Sequence, residues 1–385
     1  MNYNTKKYYL FYILLVIIIF ETKTQILPAS YQLEEYLPLL KNKKVALAVN
    51  HTALINKTHL IDTLKNKGID IKIIFTPEHG LRGKADAGES VNSSVDTKTN
   101  ISIVSLYGKQ KKPSKEHLEN IDVVVFDMQD VGVRFYTYIS TLHYLMESCA
   151  ENQKQLIVLD RPNPNGHYVD GWIKDEKINF FVAMHPIPVV HGLTIAELAL
   201  MINGEKWLKN NLQTNLKVIK IKNYNHSNFY SLPIKPSPNL PNDLSIQLYA
   251  SLCLFEGTNI SVGRGTLFPF QVWGGIDKNL GDFTFIPKSI EGMSKKPMHE
   301  NQICYGENLQ NIDFKSQFTL QYLLKAYQKT NNKKQFFNNF FDTLVGSDTL
   351  RKQIESGMNE KQIRKTWQKN LKIYKKLRKK YLLYQ

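Results

Sequence analysis

Two acidic, cationic and glycine-containing segments each follow a short apolar run. Ile71 to Phe75 leads into Thr76-Pro77-Glu78-His79-Gly80-Leu81-Arg82-Gly83, and Ile121 to Phe126 leads into Asp127-Met128-Gln129-Asp130-Val131-Gly132-Val133-Arg134. Short continuous apolar runs are the pattern of buried parallel strands. In open α/β sheets the ligand crevice lies outside the carboxyl ends of such strands. The two segments therefore predict one shared polar site, and its chemistry would be that of carboxylates. Pro77 biases Thr76 towards extended backbone and fixes how the chain leaves the strand. A glutamate at that exit, beside an apolar sheet, is suited to stay protonated and act as a general acid. Asp127, Asp130, Glu89 and Glu256 are its candidate partners. Glycoside hydrolysis uses this kind of arrangement, an acid at the leaving oxygen and negative charge or a base near the anomeric carbon. The competing reading is structural, with Glu78 pairing to Arg82 or capping the next turn.

Arg82, Arg134, Arg161 and Arg264 each stand near Gly or Pro in a predicted loop. A guanidinium so placed can grip a carboxylate with two parallel hydrogen bonds; a buried structural salt bridge is the alternative for any one of them. Tyr136 is suited to stack on a sugar face or to donate a hydrogen bond, whereas Phe135 and Tyr138 read as helix packing. Other chemistries lack their motifs. The first strand ends in Asn50-His51-Thr52 rather than a glycine-rich dinucleotide loop, and no P-loop occurs. There is no Gly-x-Ser-x-Gly elbow and no His-Glu-x-x-His. A metal held by His51, His79, His185 and His191 with Asp127 is the competing reading, but no ligand spacing supports it, so neither metal nor organic cofactor is expected.

The elements that must position these residues follow from the same patterning. A chain of 385 residues predicts two domains. Strands are predicted at Val45 to Val49, Ile69 to Phe75, Ile101 to Leu106, Ile121 to Phe126 and Leu156 to Leu159. Helices are predicted at Leu60 to Lys67 and Tyr136 to Gln153. This alternation predicts an α/β fold with a doubly wound parallel sheet. Residues 76–100 are too long and polar for an ordinary connection, which marks a functional loop. Thr194 and Glu197 fit a capping box opening another helix. Pro233, Pro236, Pro238 and Pro241 make residues 232–242 the best linker, and helices are predicted near 317–329 and 360–381.

The formal charge is +16, and residues 351–385 carry twelve Lys or Arg against Glu355 and Glu360, a net +10. Ile363, Trp367, Leu371, Tyr374, Leu377 and Tyr381 form an apolar stripe there. That predicts a docked amphipathic helix with a solvated basic face. No nucleic-acid-binding signature accompanies the charge, so no nucleic-acid partner is expected. Lys6, Lys7 and the apolar run from Tyr8 to Phe20 predict export to the periplasm or outside the cell. Residues 1–27 would then be a signal peptide or an N-terminal membrane anchor. Cys149, Cys253 and Cys304 form no metal or disulfide framework and read as buried thiols.

At its polar segments the chain resembles the exo-β-N-acetylmuramidases of the NamZ type, a family long catalogued as a domain of unknown function. The resemblance rests on TPEHGLRGKADAGE (76–89), DMQDVGVRFYTYIS (127–140), LDRPNPNGHYVDG (159–171), IPVVHGLTIAEL (187–198) and the stretch from Ser237 to Phe270. It extends over about residues 35–385. It implies a Rossmann-like catalytic domain (30–245) followed by a smaller α+β domain (246–385) that completes the cleft. The implied activity is that of a cell-wall-recycling hydrolase, which removes N-acetylmuramic acid from the non-reducing ends of peptidoglycan fragments. Glu78 would be the catalytic acid. If the substrate's acetamido oxygen is the nucleophile, Asp130 or Glu256 would orient it. The arginines would recognise the lactyl carboxylate, and His79 and His191 would hold hydroxyls or tune Glu78. Asp127, Tyr136 and Asn259 complete the expected substrate contacts. A non-catalytic peptidoglycan-binding module and a metal-dependent hydrolase of acidic sugars are the alternatives.

Overall fold

The computed structural model of the chain describes residues 25–78, 80–81, 94–313 and 317–384. Its centre is a seven-stranded sheet. The strands are β1 (Lys44–Val49), β2 (Asp70–Thr76), β3 (Ser94–Asp96), β4 (Ile101–Ser105), β5 (Val123–Asp127), β6 (Gln155–Leu159) and β7 (Asn215–Ile219). Their order is β3-β4-β2-β1-β5-β6-β7, all parallel except β3, which pairs antiparallel at the edge. Without β3 this is the doubly wound order, whose direction reverses between β1 and β5. Val45 faces Ile71 on one side and Val123 on the other.

The five expected strands form because their apolar residues are buried on both faces. Along β1, Ala46 and Ala48 join one core and Val45, Leu47 and Val49 the other, the period-two alternation of a covered sheet. The two unexpected strands lie at the edges. β7 (sequence NLKVI) buries only Ile219 fully, so it carries no continuous apolar run. β3 is three residues inside the long polar loop.

Four helices matter for the site: α1 (Tyr138–Glu151), α2 (Ile195–Gly204), α3 (Asp243–Leu252) and α4 (Glu360–Arg378). The capping box of α2 is present. Thr194 Oγ1 accepts from Glu197 N at 3.3 Å, and Glu197 Oε2 accepts from Thr194 N at 2.9 Å. In α4 the stripe residues Ile363, Trp367, Leu371 and Tyr374 are buried, and most of its lysines face outward. The tail returns to the sheet: Tyr374 Oη donates to His191 O at 2.8 Å, and Tyr384 Oη to Asp160 Oδ2 at 2.5 Å.

The C-terminal part holds a small antiparallel sheet of β8 (Val272–Gly275), β9 (Phe283–Phe285) and β10 (Cys304–Asn308), ordered β8-β10-β9. The proline-rich segment does not hang free between the two parts. Residues 236–240 are buried, and the carbonyl of Pro236 accepts from Tyr136 Oη at 2.8 Å. Prolines suit this role because they lack an N–H that burial would leave unpaired. All three cysteines are buried free thiols. Among the described residues no helix is long and apolar enough to cross a membrane, and the N-terminal apolar run lies outside them.

Candidate active site

The carboxyl ends of β2, β4 and β5 open onto a cavity of about 370 Å³. Glu78 reaches it from the end of β2, Tyr107 from the end of β4, and Phe135 through Tyr138 from the segment after β5. The opposite wall comes from α3 and the chain beyond it, with Tyr249, Cys253, Glu256, Arg264, Phe270 and Lys296.

Glu78 sits in a tight turn closed by Gly80 N donating to Pro77 O at 3.1 Å, and Gly80 takes the positive φ of +68° that the turn requires. The side chain is half-buried, and its Oε2 accepts from Thr137 Oγ1 at 3.3 Å. The Tyr107 hydroxyl also bonds to it. Burial first, then the Glu78 carboxylate, raises the Tyr107 phenol above its ordinary range.

Across the cavity Arg264 Nε and Nη2 lie 2.7 and 2.6 Å from Glu256 Oε1. Glu256 Oε2 accepts a weaker contact from Cys253 Sγ at 3.7 Å. Burial works against the Arg264 charge, but the Glu256 carboxylate outweighs it and raises the guanidinium's pKa. The guanidinium stands 5.2 Å from the Phe270 ring centre, and its Nη1 is buried without a partner. The cavity thus brings together Glu78, Tyr136, Glu256 and Arg264 of the residues expected from sequence.

Other expected residues stand elsewhere, because burial has given them structural partners. Arg134 is only 1% exposed and lines no part of the cavity. Its Nη1 donates to Trp172 O (3.0 Å) and Ile187 O (2.8 Å), and its Nη2 to Val345 O (2.5 Å). It pins three segments together, and burial pushes its pKa down to about 9. Arg161 forms a buried pair with Asp127, Nε to Oδ1 at 2.5 Å and Nη2 to Oδ2 at 2.9 Å. Neither residue lines the cavity.

Asp130 holds its own turn instead of facing the cavity: Oδ2 accepts from Gly132 N at 2.7 Å and lies 3.5 Å from His191 Nε2. Gly132 is required there, since a Cβ at its φ of +78° would meet Asn163 Oδ1 at 2.3 Å. His191 is fully buried outside the cavity wall, its Nδ1 accepting from Leu193 N at 3.2 Å. Asn259 is also outside the wall, its backbone bonded to Phe336 O and to His299 Nε2. His79, Arg82 and Glu89 lie outside the described residues. Among the described residues no three His, Cys, Asp or Glu side chains are grouped as metal ligands.

The wall also contains residues that motif reading passed over. Tyr107 follows a strand with no carboxylate or arginine beside it, only the lysines Lys109, Lys111 and Lys112. Asn239 is hidden in the proline run, and Lys296 in a lysine pair that reads as solvated surface. The one signal for Asn239 is that SPNLPND belongs to the segments carrying the family resemblance.

Fold and cavity define an α/β protein whose acid-lined pocket lies beyond the strand ends of a doubly wound sheet and is closed by a smaller C-terminal part. The chain belongs to the NamZ exo-β-N-acetylmuramidase family: the family's N-terminal model matches residues 45–244 and its C-terminal model residues 247–384. It is 36% identical to the peptidoglycan β-N-acetylmuramidase NamZ of Bacillus subtilis, covering 91% of this chain and 89% of that protein. Two crystal structures of Bacteroides fragilis proteins described as DUF1343 family members are similar throughout. One has a TM-score of 0.88 at 44% identity and the other 0.80 at 29%, each covering 94% of this chain and 99% of the other.

Proposed function

We propose that this protein is an exo-acting glycoside hydrolase that releases N-acetylmuramic acid from the non-reducing ends of peptidoglycan fragments, with Glu78 as general acid. The observation that carries this reading is the meeting of Glu78 with the Glu256–Arg264 pair in one cavity. At about 370 Å³ the cavity is near the lower end of small-molecule sites. That volume suits a terminal sugar better than a threaded glycan.

In this reading Glu78 protonates the leaving oxygen, and the hydroxyls of Thr137 and Tyr107 hold its carboxyl group in place. Glu256 is held by Arg264, so it supplies negative charge near the anomeric carbon. Arg264 Nη1 is an unused donor, and Lys296 adds a second cation, which together suit the lactyl carboxylate of muramic acid. Lys6, Lys7 and the apolar run from Tyr8 to Phe20 support export to the compartment that holds the murein, with the same segment available as an anchor.

A chromogenic β-N-acetylmuramide tests the reading. The wild type should release the chromophore, and Glu78→Gln should lower the rate by roughly 10²–10⁴-fold. Sugar binding without release in the wild type would make the protein a binding module. Loss of release in a strong chelator, restored by a divalent metal, would favour a metal-dependent hydrolase.

A further inference from the structure

We propose that Asn239 recognises the 2-acetamido N–H of the terminal sugar, a specificity-determining role that rests on the muramidase reading above. Asn239 lies in the cavity wall with 1% of its surface exposed. Two bonds fix it. Its backbone N–H donates to Ser237 Oγ at 3.3 Å, and its Nδ2 donates to the carbonyl oxygen of Met293 at 2.8 Å. A carbonyl oxygen only accepts, so the amide can be oriented one way: the NH₂ faces Met293 and Oδ1 faces away from it. Oδ1 is buried and has no hydrogen-bond partner. Native proteins seldom leave such an atom without a reason, and a group supplied by the ligand is one.

Two other acceptors of this region are already engaged. Pro236 O accepts from Tyr136 Oη at 2.8 Å, and Glu256 Oε1 accepts from Arg264 Nε at 2.7 Å. Asn239 Oδ1 is a neutral acceptor left open, and it calls for a donor. A sugar hydroxyl rotates and can act as donor or acceptor, so it depends little on any one oxygen. An amide N–H is a donor only, points one way, and is costly to bury unpaired. Leu240, Tyr249 and Phe270 line the same cavity and offer apolar surface for the acetyl methyl. A neutral acceptor with an apolar surround matches an acetamido group better than a hydroxyl.

Calorimetric titration of the full chain with N-acetylmuramic acid and with 3-O-lactylglucose, its 2-hydroxy counterpart, tests the role. The wild type should bind the acetamido sugar about ten- to a hundredfold more tightly. Asn239→Leu keeps the volume and removes the acceptor, and should bring the two affinities within about threefold of each other. The ratio of two dissociation constants from one preparation does not depend on how much of it is folded. Should Asn239→Leu fail to fold, the smaller Asn239→Ala gives the same comparison. A preference that survives the substitution overturns the role of Asn239 and leaves the muramidase reading standing. Equal wild-type affinities overturn the role as well. A wild type that binds neither sugar sinks the reading and the inference together.

Discussion

Arg264 spends two of its three guanidinium nitrogens on a single oxygen of Glu256, at 2.7 and 2.6 Å, and leaves Nη1 without a partner in the cavity wall. A lysine offers a compact point charge and lacks the planar fork that holds Glu256 through two nitrogens while presenting Nη1 at a fixed spacing. Arg264→Lys should therefore lower kcat/KM for a chromogenic β-N-acetylmuramide by roughly 10–100-fold, the worth of a charged hydrogen bond or two. The loss should be smaller for the matching N-acetylglucosaminide, which lacks the lactyl carboxylate. Equal proportional losses would confine Arg264 to holding Glu256.

Arg134 gives the opposite expectation. Its guanidinium serves the carbonyls of Trp172, Ile187 and Val345 and makes no part of the cavity. Arg134→Met removes the donors and strands the buried carbonyls of Trp172 and Ile187, while Val345 O keeps the Trp172 indole N–H at 2.8 Å. The cost should be on the order of 3 kcal/mol or more, read as a lowered urea midpoint. KM for the remaining folded enzyme should change little, and should change alike for sugars with and without the lactyl group. A selective rise in KM for the muramide would return Arg134 to the site.

These two arginines show what the sequence could and could not disclose. Both stand near glycine in a predicted loop, and local pattern treats them alike. Only the packing of Trp172 and Val345, distant in sequence, turns one of them inward. The central strands were legible because residues such as Val45 to Val49 are buried on both faces and leave an unbroken apolar run. The edge strand β7 was not, since its exposed face interrupts the run with Asn215 and Lys217. The place of Glu78 at the cavity was legible because it directly follows an apolar run at a strand's carboxyl end. Asn239 was not, because its role depends on a long-range bond to Met293 that no spacing encodes.

Tyr107 and Thr137 both present hydroxyls to Glu78. Tyr107→Phe keeps the ring and removes one donor. A positioning role predicts a fall in kcat of about tenfold with KM nearly unchanged, because the acid loses its orientation while the sugar keeps its contacts. A purely structural role would lower the yield of folded enzyme and leave kcat per folded molecule where it was.

The last prediction concerns a buried pair away from the cavity. His143 Nδ1 and His185 Nε2 lie 3.1 Å apart, and both rings are buried. One hydrogen bond between two imidazoles needs one N–H and one lone pair, which both neutral rings supply. Burial pushes His143 down from 6.5 to about 4, against the partial pull of Glu147 and with the repulsion of Lys112. Burial also drives His185 well below its ordinary value, with His143, His191 and Lys174 adding to the effect. Between about 4 and 6.5 the unfolded chain therefore binds more protons than the folded one. Stability is complete above that window and falls as the pH drops through it, by up to about 1.4 kcal/mol per pH unit for each histidine. In urea titrations across this range, His143→Gln should remove about half of the pair's contribution to the slope. An unchanged slope in that variant would show that the acid sensitivity comes from other groups.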